Sequence, residues 1–216
     1  MERNIIINET IHFVKEKLAG DSSGHDWWHI YRVWNIAKQI QKIEGGDIYI
    51  IELSALLHDV ADWKFYESEK EGLKIVQTFL VSQNLENNII NSVISIIENI
   101  SFKGAGVKDR MTTVEGKIVQ DADRLDAIGA VGIARTFAFG GKFGNEMHNP
   151  DSEIVMHNNF EQYKNSKGTT INHFHEKLLL LKNRMNTETA KRIAYSRHKY
   201  MEQFLNQFKN EWDGIN

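Results

Sequence analysis

The sequence predicts an all-α protein. Apolar residues recur at helical spacing in successive segments along the chain, and no segment sustains the alternation of a half-buried strand. The stretch Leu53-Ser54-Ala55-Leu56-Leu57-His58-Asp59-Val60-Ala61-Asp62 contains no glycine, proline or turn cluster, so it too reads as helix. Its first half is apolar around most of its circumference, which marks it for burial.

The elements follow in order. Ile7, Ile11, Val14 and Leu18 give a first amphipathic helix, stopped by Gly20-Asp21-Ser22-Ser23-Gly24. A second opens at His25-Asp26-Trp27-Trp28-His29 and runs to about Glu44, with Ile30, Val33, Trp34, Ala37 and Ile40 on its apolar face. His25, His29 and Arg32, at i, i+4 and i+7, share another face of it. That stripe suits a phosphate site; its alternative is a solvated His/Arg face beside core tryptophans. The helix through His58 comes next. Leu73, Val76, Phe79 and Leu80 mark a fourth, and Ile89, Ile90, Val93, Ile94, Ile97 and Ile100 a fifth of core character. Residues 101–113 read as a loop around Gly104-Ala105-Gly106, with Lys103, Lys108 and Arg110 beside it. Val114, Ile118, Ala122 and Leu125 define a helix whose other face carries Asp121, Asp123 and Asp126. The helical pattern resumes through Ile133 and Phe137 and is expected to end at Gly140-Gly141. Residues 142–167, with His148, Pro150 and His157, are irregular, and loops of this length are usually lids or binding loops. Ile171, Phe174, Leu178, Leu181 and Met185 predict one helix capped by Thr169 or Thr170, showing His173, Lys177 and Arg184 on the opposite face. The last helix is expected from about Glu188 to Trp212, with Ala190, Ala194, Met201, Phe204, Leu205, Phe208 and Trp212 inward.

Composition narrows the function. A chain of 216 residues that is 41% hydrophobic and 25% charged has the balance of one soluble domain, or one domain with a helical appendage, with a sizeable core. A net charge of -3 leaves no basic footprint for nucleic acid. The absence of cysteine excludes disulfides, thiolate nucleophiles and Cys-based zinc sites. No apolar run approaches a membrane span, and Met1–Asn8 is too short an apolar start for a signal peptide. The expected location is cytoplasmic.

The chemistry starts at His58-Asp59. A buried imidazole beside a carboxylate is costly unless something pairs with both, and a divalent metal takes neutral His nitrogen and Asp oxygen together. The alternative is a core histidine bonded to its neighbour. Asp121, Asp123 and Asp126 crowd one half-buried helix and repel unless a cation, or Arg124 locally, neutralises them. His29, His58-Asp59 and Asp123 lie on separate apolar-faced helices, and such side chains converge when helices pack side by side.

The ordered pattern His … His-Asp … Asp resembles the HD-domain superfamily of metal-dependent phosphohydrolases. The strings His25-Asp26-Trp27-Trp28-His29-Ile30-Tyr31-Arg32-Val33, Leu57-His58-Asp59-Val60-Ala61-Asp62 and Gln120-Asp121-Ala122-Asp123-Arg124-Leu125-Asp126-Ala127 resemble a bacterial stand-alone group of HD hydrolases. Ile171-Asn172-His173-Phe174, Lys177-Leu178-Leu179 and Glu211-Trp212-Asp213-Gly214 fit the same group, so the resemblance covers nearly the whole chain. It implies an HD-type helical bundle with additional C-terminal helices. One domain then spans 1–216, with a metal-site core in 25–130, a lid in 140–168 and C-terminal helices in 169–213.

The resemblance implies His29, His58, Asp59 and Asp123 as ligands of one divalent metal. Asp121 and Asp126 compete for the fourth place; the Ala-Asp-Arg-Leu setting of Asp123 matches the superfamily's final Asp. Asp62 stands where many HD nucleotidases have a glutamate that assists water, and is one methylene shorter. The lack of histidine between His58 and His148 points to one metal rather than two. Mixed N/O ligation suits Mn²⁺, Co²⁺, Ni²⁺, Fe²⁺ or Mg²⁺, with Mn²⁺ favoured. The implied activity is hydrolysis of (deoxy)nucleoside triphosphates to nucleoside monophosphate and pyrophosphate. Asp62 or Asp126 would orient or deprotonate the water, and Arg32, Lys142 and Lys177 would stabilise the phosphoryl charge. The alternatives are a 5'-nucleotidase acting on (deoxy)nucleoside monophosphates, a nucleotide-sensing binding protein, and a purely structural metal. The expected partner is a small-molecule nucleotide, with no nucleic acid and no membrane; a homodimer is left open.

Overall fold

The computed structural model describes residues 2–20, 24, 26–61, 69–102, 106–107, 109–156 and 168–215. They form helices and turns, with no strand among the described residues, and the all-α expectation holds. Two compact units are distinguished by their packing, residues 1–102 with 108–123, and residues 103–107 with 124–216.

The first unit is organised on its most apolar helix. α1 (Glu2–Lys17), α2 (Trp27–Glu44) and α5 (Asn87–Ile100) all pack on α3 (Ile48–Leu57), and α4 (Glu69–Ser82) packs on α5. Tyr49, Ile51 and the run Leu53 to Leu57 are buried on α3, so nearly its whole circumference is enclosed. Burial of each of Ile51, Leu53, Leu56 and Leu57 stabilises the fold by about 1.5–3 kcal/mol relative to exposure. Aspartates start the two inner helices: Asp26 accepts from the His29 backbone N–H at 3.0 Å, and Asp47 accepts from the Tyr49 N–H at 2.8 Å. The helix expected from His25 thus begins at Trp27, and His25 lies outside the described residues.

Two expectations need correction here. The helix expected through Asp62 ends at Leu57, and His58–Ala61 form a tighter 3₁₀ turn. Val114, placed on the apolar face with Ile118, Ala122 and Leu125, is 47% exposed at the first turn of α6 (Val114–Asp126). Farther along α6 the buried Gln120 amide donates to the carbonyls of Asn99 and Ile100, tying it to the end of α5.

In the second unit, α7 (Gly129–Phe143) and α9 (Glu188–Trp212) pack together, and α8 (Thr170–Glu176) packs on α7. α7 runs past Gly140-Gly141 and stops at Gly144, whose left-handed φ of 71° suits glycine. Gly140 serves packing instead: a Cβ there would stand 2.3 Å from Thr170 Oγ1. Thr169 caps α8, accepting from the Asn172 N–H at 3.1 Å. The single helix expected over 171–185 is broken at Lys177 (φ -138°, ψ -60°) and continues as a 3₁₀ turn, Leu178–Arg184. On α9, Ala190, Ala194 and Met201 are buried as expected, whereas Trp212 is 47% exposed, stacked on Phe208 with ring centroids 5.8 Å apart.

Part of the irregular segment is tied down. The Asn172 side-chain amide donates to the Ser152 carbonyl, the Ser152 hydroxyl and the Glu153 carbonyl, and Glu176 accepts from the Val155 N–H. Residues 157–167, with His157 and much of the expected lid, lie outside the described residues, as do Lys103 and Lys108. No helix among the described residues is long and apolar enough to cross a membrane.

Candidate metal centre

Three side chains of the first unit converge where the sequence placed its chemistry. His29 sits on the first turn of α2, where the Asp26 cap holds its backbone; it is 1% exposed. His58 and Asp59 open the 3₁₀ turn after α3, 4% and 7% exposed. His29 Nε2 lies 3.2 Å from His58 Nε2 and 3.2 Å from Asp59 Oδ2, and His58 Nε2 lies 3.4 Å from Asp59 Oδ1. One ligand atom from each residue falls within 4.8 Å of the other two. Asp123, on α6, joins at the edge: its Oδ1 is 3.5 Å from His29 Nε2 and 3.8 Å from His58 Nε2, with its side chain 31% exposed. It lies outside the tightest grouping of three.

The tautomer of His58 follows from its other nitrogen. Nδ1 is 2.8 Å from the Ala55 carbonyl oxygen, which can only accept, so Nδ1 carries the proton and Nε2 presents its lone pair. The spacing fits a divalent ion. Donors about 2.1 Å from one ion and at right angles to each other are about 3.0 Å apart. The observed separations of 3.2 to 3.8 Å run from near that value to somewhat beyond the roughly 3.4 Å of tetrahedral donors. Without a cation or proton between them, two imidazole nitrogens and two carboxylates would meet as lone pair against lone pair. His29, His58, Asp59 and Asp123 would hold the ion.

The other expected site residues fall as follows. Asp62 lies outside the described residues, three positions after Asp59. Arg32, half-buried, is one turn along α2 from His29. Asp121 is fully buried. Asp126 belongs to the second unit and is held by Arg135, Nη1 to Oδ2 2.8 Å. Lys142 and Lys177 also belong to that unit: Lys142 is exposed, its Nζ 5.8 Å from the Phe143 ring, and Lys177 sits at the break after α8.

The sequence reading passed over Gly72 on α4, against which the 3₁₀ turn packs. A Cβ at Gly72 would stand 2.6 Å from the Ala61 carbonyl oxygen and 2.8 Å from its Cα. The only signal in the sequence was a glycine inside a helical pattern, which reads as a packing contact or as nothing.

The chain is similar to known proteins over most of its length. Residues 27–128 match the HD domain model. The chain is 38% identical to YpgQ of Bacillus subtilis (strain 168) over 94% of its own length and 92% of that protein. A crystal structure of YpgQ in complex with ADP superposes with a TM-score of 0.76 at 36% identity, covering 97% of this chain and 100% of that one. An HD-superfamily hydrolase from Bacillus thuringiensis gives 46% identity and a TM-score of 0.75, over 98% of each chain. A Lactobacillus plantarum protein gives 36% identity and a TM-score of 0.90, over 99% of this chain and 100% of that one. With two histidines and two aspartates drawn together from α2, the turn after α3, and α6, and with relatives matching along their full length, the chain belongs to the HD-domain family of hydrolases.

Proposed function

We propose that this protein is a metal-dependent nucleotide pyrophosphohydrolase, cleaving (deoxy)nucleoside triphosphates between the α and β phosphates. The observation that carries the proposal is the convergence of the buried His29, His58 and Asp59 with the partly exposed Asp123. A nucleoside diphosphate bound to YpgQ supports the choice of nucleotide as substrate.

A divalent ion at such a centre, Mn²⁺ in our reading, supplies a Lewis acid that acidifies water and polarises a phosphoryl oxygen. The chain does the rest. Ala55 fixes the His58 ring through Nδ1–H, and the Asp26 cap fixes the turn that carries His29. Arg32 offers a guanidinium to phosphate oxygens in a bidentate fork. Asp62 takes the proton of the attacking water; we assign it this role over Asp126, whose carboxylate is engaged by Arg135. The water oxygen bonds to the α-phosphorus as the bond to the α–β bridging oxygen breaks, and pyrophosphate leaves with that electron pair. Pyrophosphate is a weaker base than a sugar alkoxide, so breaking the anhydride asks for less acid assistance than hydrolysing a monoester.

Phosphorus NMR of a deoxynucleoside triphosphate turned over with Mn²⁺ in ¹⁸O-labelled water tests the proposal. Label on the monophosphate with intact, unlabelled pyrophosphate is the expected result. Orthophosphate as first product, or rapid conversion of monophosphates to nucleosides, would refute it and favour a nucleotidase.

A further inference from the structure

Of the four residues at the metal centre, Asp123 alone comes from α6; His29 comes from α2, and His58 and Asp59 from the turn after α3. Its side chain is also the most exposed of the four, and its Oδ1 stands farther from the imidazole nitrogens than the Asp59 oxygens do. Asp123 and the part of α6 before it belong to the first unit, with the other three. The reach of Asp123 into the centre therefore depends on how α6 is held within that unit.

Two side chains of α6 hold it. Glu115, half-buried in the first turn, accepts from the Asp47 backbone N–H through Oε1 at 2.9 Å. Asp47 is the residue that caps α3. Gly46 keeps room for this contact: its φ is +89°, and a Cβ there would stand 3.2 Å from Glu115 Oε1. Farther along, Gln120 is fully buried and donates through Nε2 to the Asn99 carbonyl at 3.2 Å and to the Ile100 carbonyl at 3.3 Å. Asn99 and Ile100 end α5, where carbonyls have no partner within the helix. A primary amide has two N–H groups, one for each. α5 packs on α3, and α3 leads directly into His58.

Ile118, Val119 and Ala122 are fully buried beside these tethers. Their burial holds α6 in place but is non-directional. The hydrogen bonds are directional, so they set the rotation of the helix. Asp123 is three residues beyond Gln120, hence its neighbour along the helix. A slip of one residue would turn the Asp123 carboxylate by about 100°, away from imidazole nitrogens that lie 3.5 and 3.8 Å from its Oδ1.

We propose that Gln120, with Glu115 as a second tether, is a positioning residue: it bonds the end of α5 and so fixes the rotation of α6 that aims the Asp123 carboxylate at the metal. This rests on the metal centre described above, and Gln120 acts on it through Asp123.

Calorimetric titration of Mn²⁺ into the full chain tests this, with circular dichroism confirming that each variant is folded. The variants are Q120M, E115A, E115Q, D123N and the double variant Q120M/D123N. Q120M keeps the length of the side chain and removes its N–H donors. It should lose about 10-fold in Mn²⁺ affinity. E115A should lose affinity in the same direction. E115Q keeps an oxygen that accepts from Asp47, and should recover it without the charge. In the D123N background Q120M should cause no further loss, because the ligand it positions is gone. Additive losses in the double variant would overturn the proposal. So would a lowered melting temperature in Q120M with wild-type Mn²⁺ affinity, the mark of a merely structural contact; weakened binding in D123N would then leave the metal centre standing. Wild-type affinity in D123N would overturn the metal-centre assignment and this proposal with it. Should Q120M fail to fold, E115A and E115Q carry the same test.

Discussion

Replacing Gly72 with alanine perturbs the metal centre through packing alone. Gly72 lies on the buried face of α4, against the 3₁₀ turn that bears His58 and Asp59. The new Cβ would meet the Ala61 carbonyl oxygen at 2.6 Å, its Cα at 2.8 Å and its carbonyl carbon at 2.9 Å, where ordinary contacts begin at 3.4 Å. All three atoms are backbone, so no side-chain rotation relieves them, and helix and turn must separate. Overpacking of this kind costs about 1–3 kcal/mol, and alanine's better helix propensity offsets about 1 kcal/mol of that. The net loss of up to about 2 kcal/mol lowers the melting temperature by up to about 8 °C for a chain of this size. The more telling effect is on binding: displacing His58 and Asp59 should weaken Mn²⁺ affinity by about 10-fold or more. Scanning calorimetry and Mn²⁺ titration read the two effects separately. G141A is the control, because a Cβ there meets nothing within 4 Å; it should gain a few tenths to about 1 kcal/mol. A G72A protein with a raised melting temperature and wild-type Mn²⁺ affinity would refute the reasoning.

Two further predictions bear on other elements. D26A removes the acceptor of the His29 N–H and should cost about 1 kcal/mol, seen as a melting temperature lower by about 2–4 °C; an unchanged value would show that the cap contributes nothing. On α9, burial first, then Lys182, push the His198 pKa down, partly countered by Glu202 at 3.3 Å. The unfolded chain therefore takes up a proton at His198 near pH 6.5 that the folded chain resists, so this contribution to stability is full above about pH 6.5 and is lost as pH falls below it. H198Q should therefore flatten the fall in melting temperature between about pH 7 and about pH 5.5, and an identical slope in wild type and variant would contradict the assignment.

The all-α class was legible because helical periodicity is written in residue spacing, and Ile30, Val33, Ala37 and Ile40 are buried as that spacing required. The grouping of His29 with His58-Asp59 was legible for a different reason: residue chemistry survives whatever the local backbone does. The backbone detail was not legible. Four apolar-flanked residues read the same in a 3₁₀ turn as in an α-helix, so the end of α3 at Leu57 was hidden. Gly140 read as a stop because a terminating glycine and a close-contact glycine look alike; only the approach of Thr170 separates them. Nor could spacing rank Asp121, Asp123 and Asp126. Side-chain direction and partners distinguish them, and the partners of Asp126 and Leu125 include Arg197, which is remote in sequence.

The central claim is that His29, His58, Asp59 and Asp123 hold one divalent ion on which hydrolysis depends. Elemental analysis of wild type and H58A after loading with Mn²⁺, run beside nucleoside triphosphate turnover, tests it most directly. The account predicts about one ion per wild-type chain, with both metal and turnover lost in a folded H58A. Full metal occupancy in H58A, or undiminished turnover in its metal-free form, would contradict it.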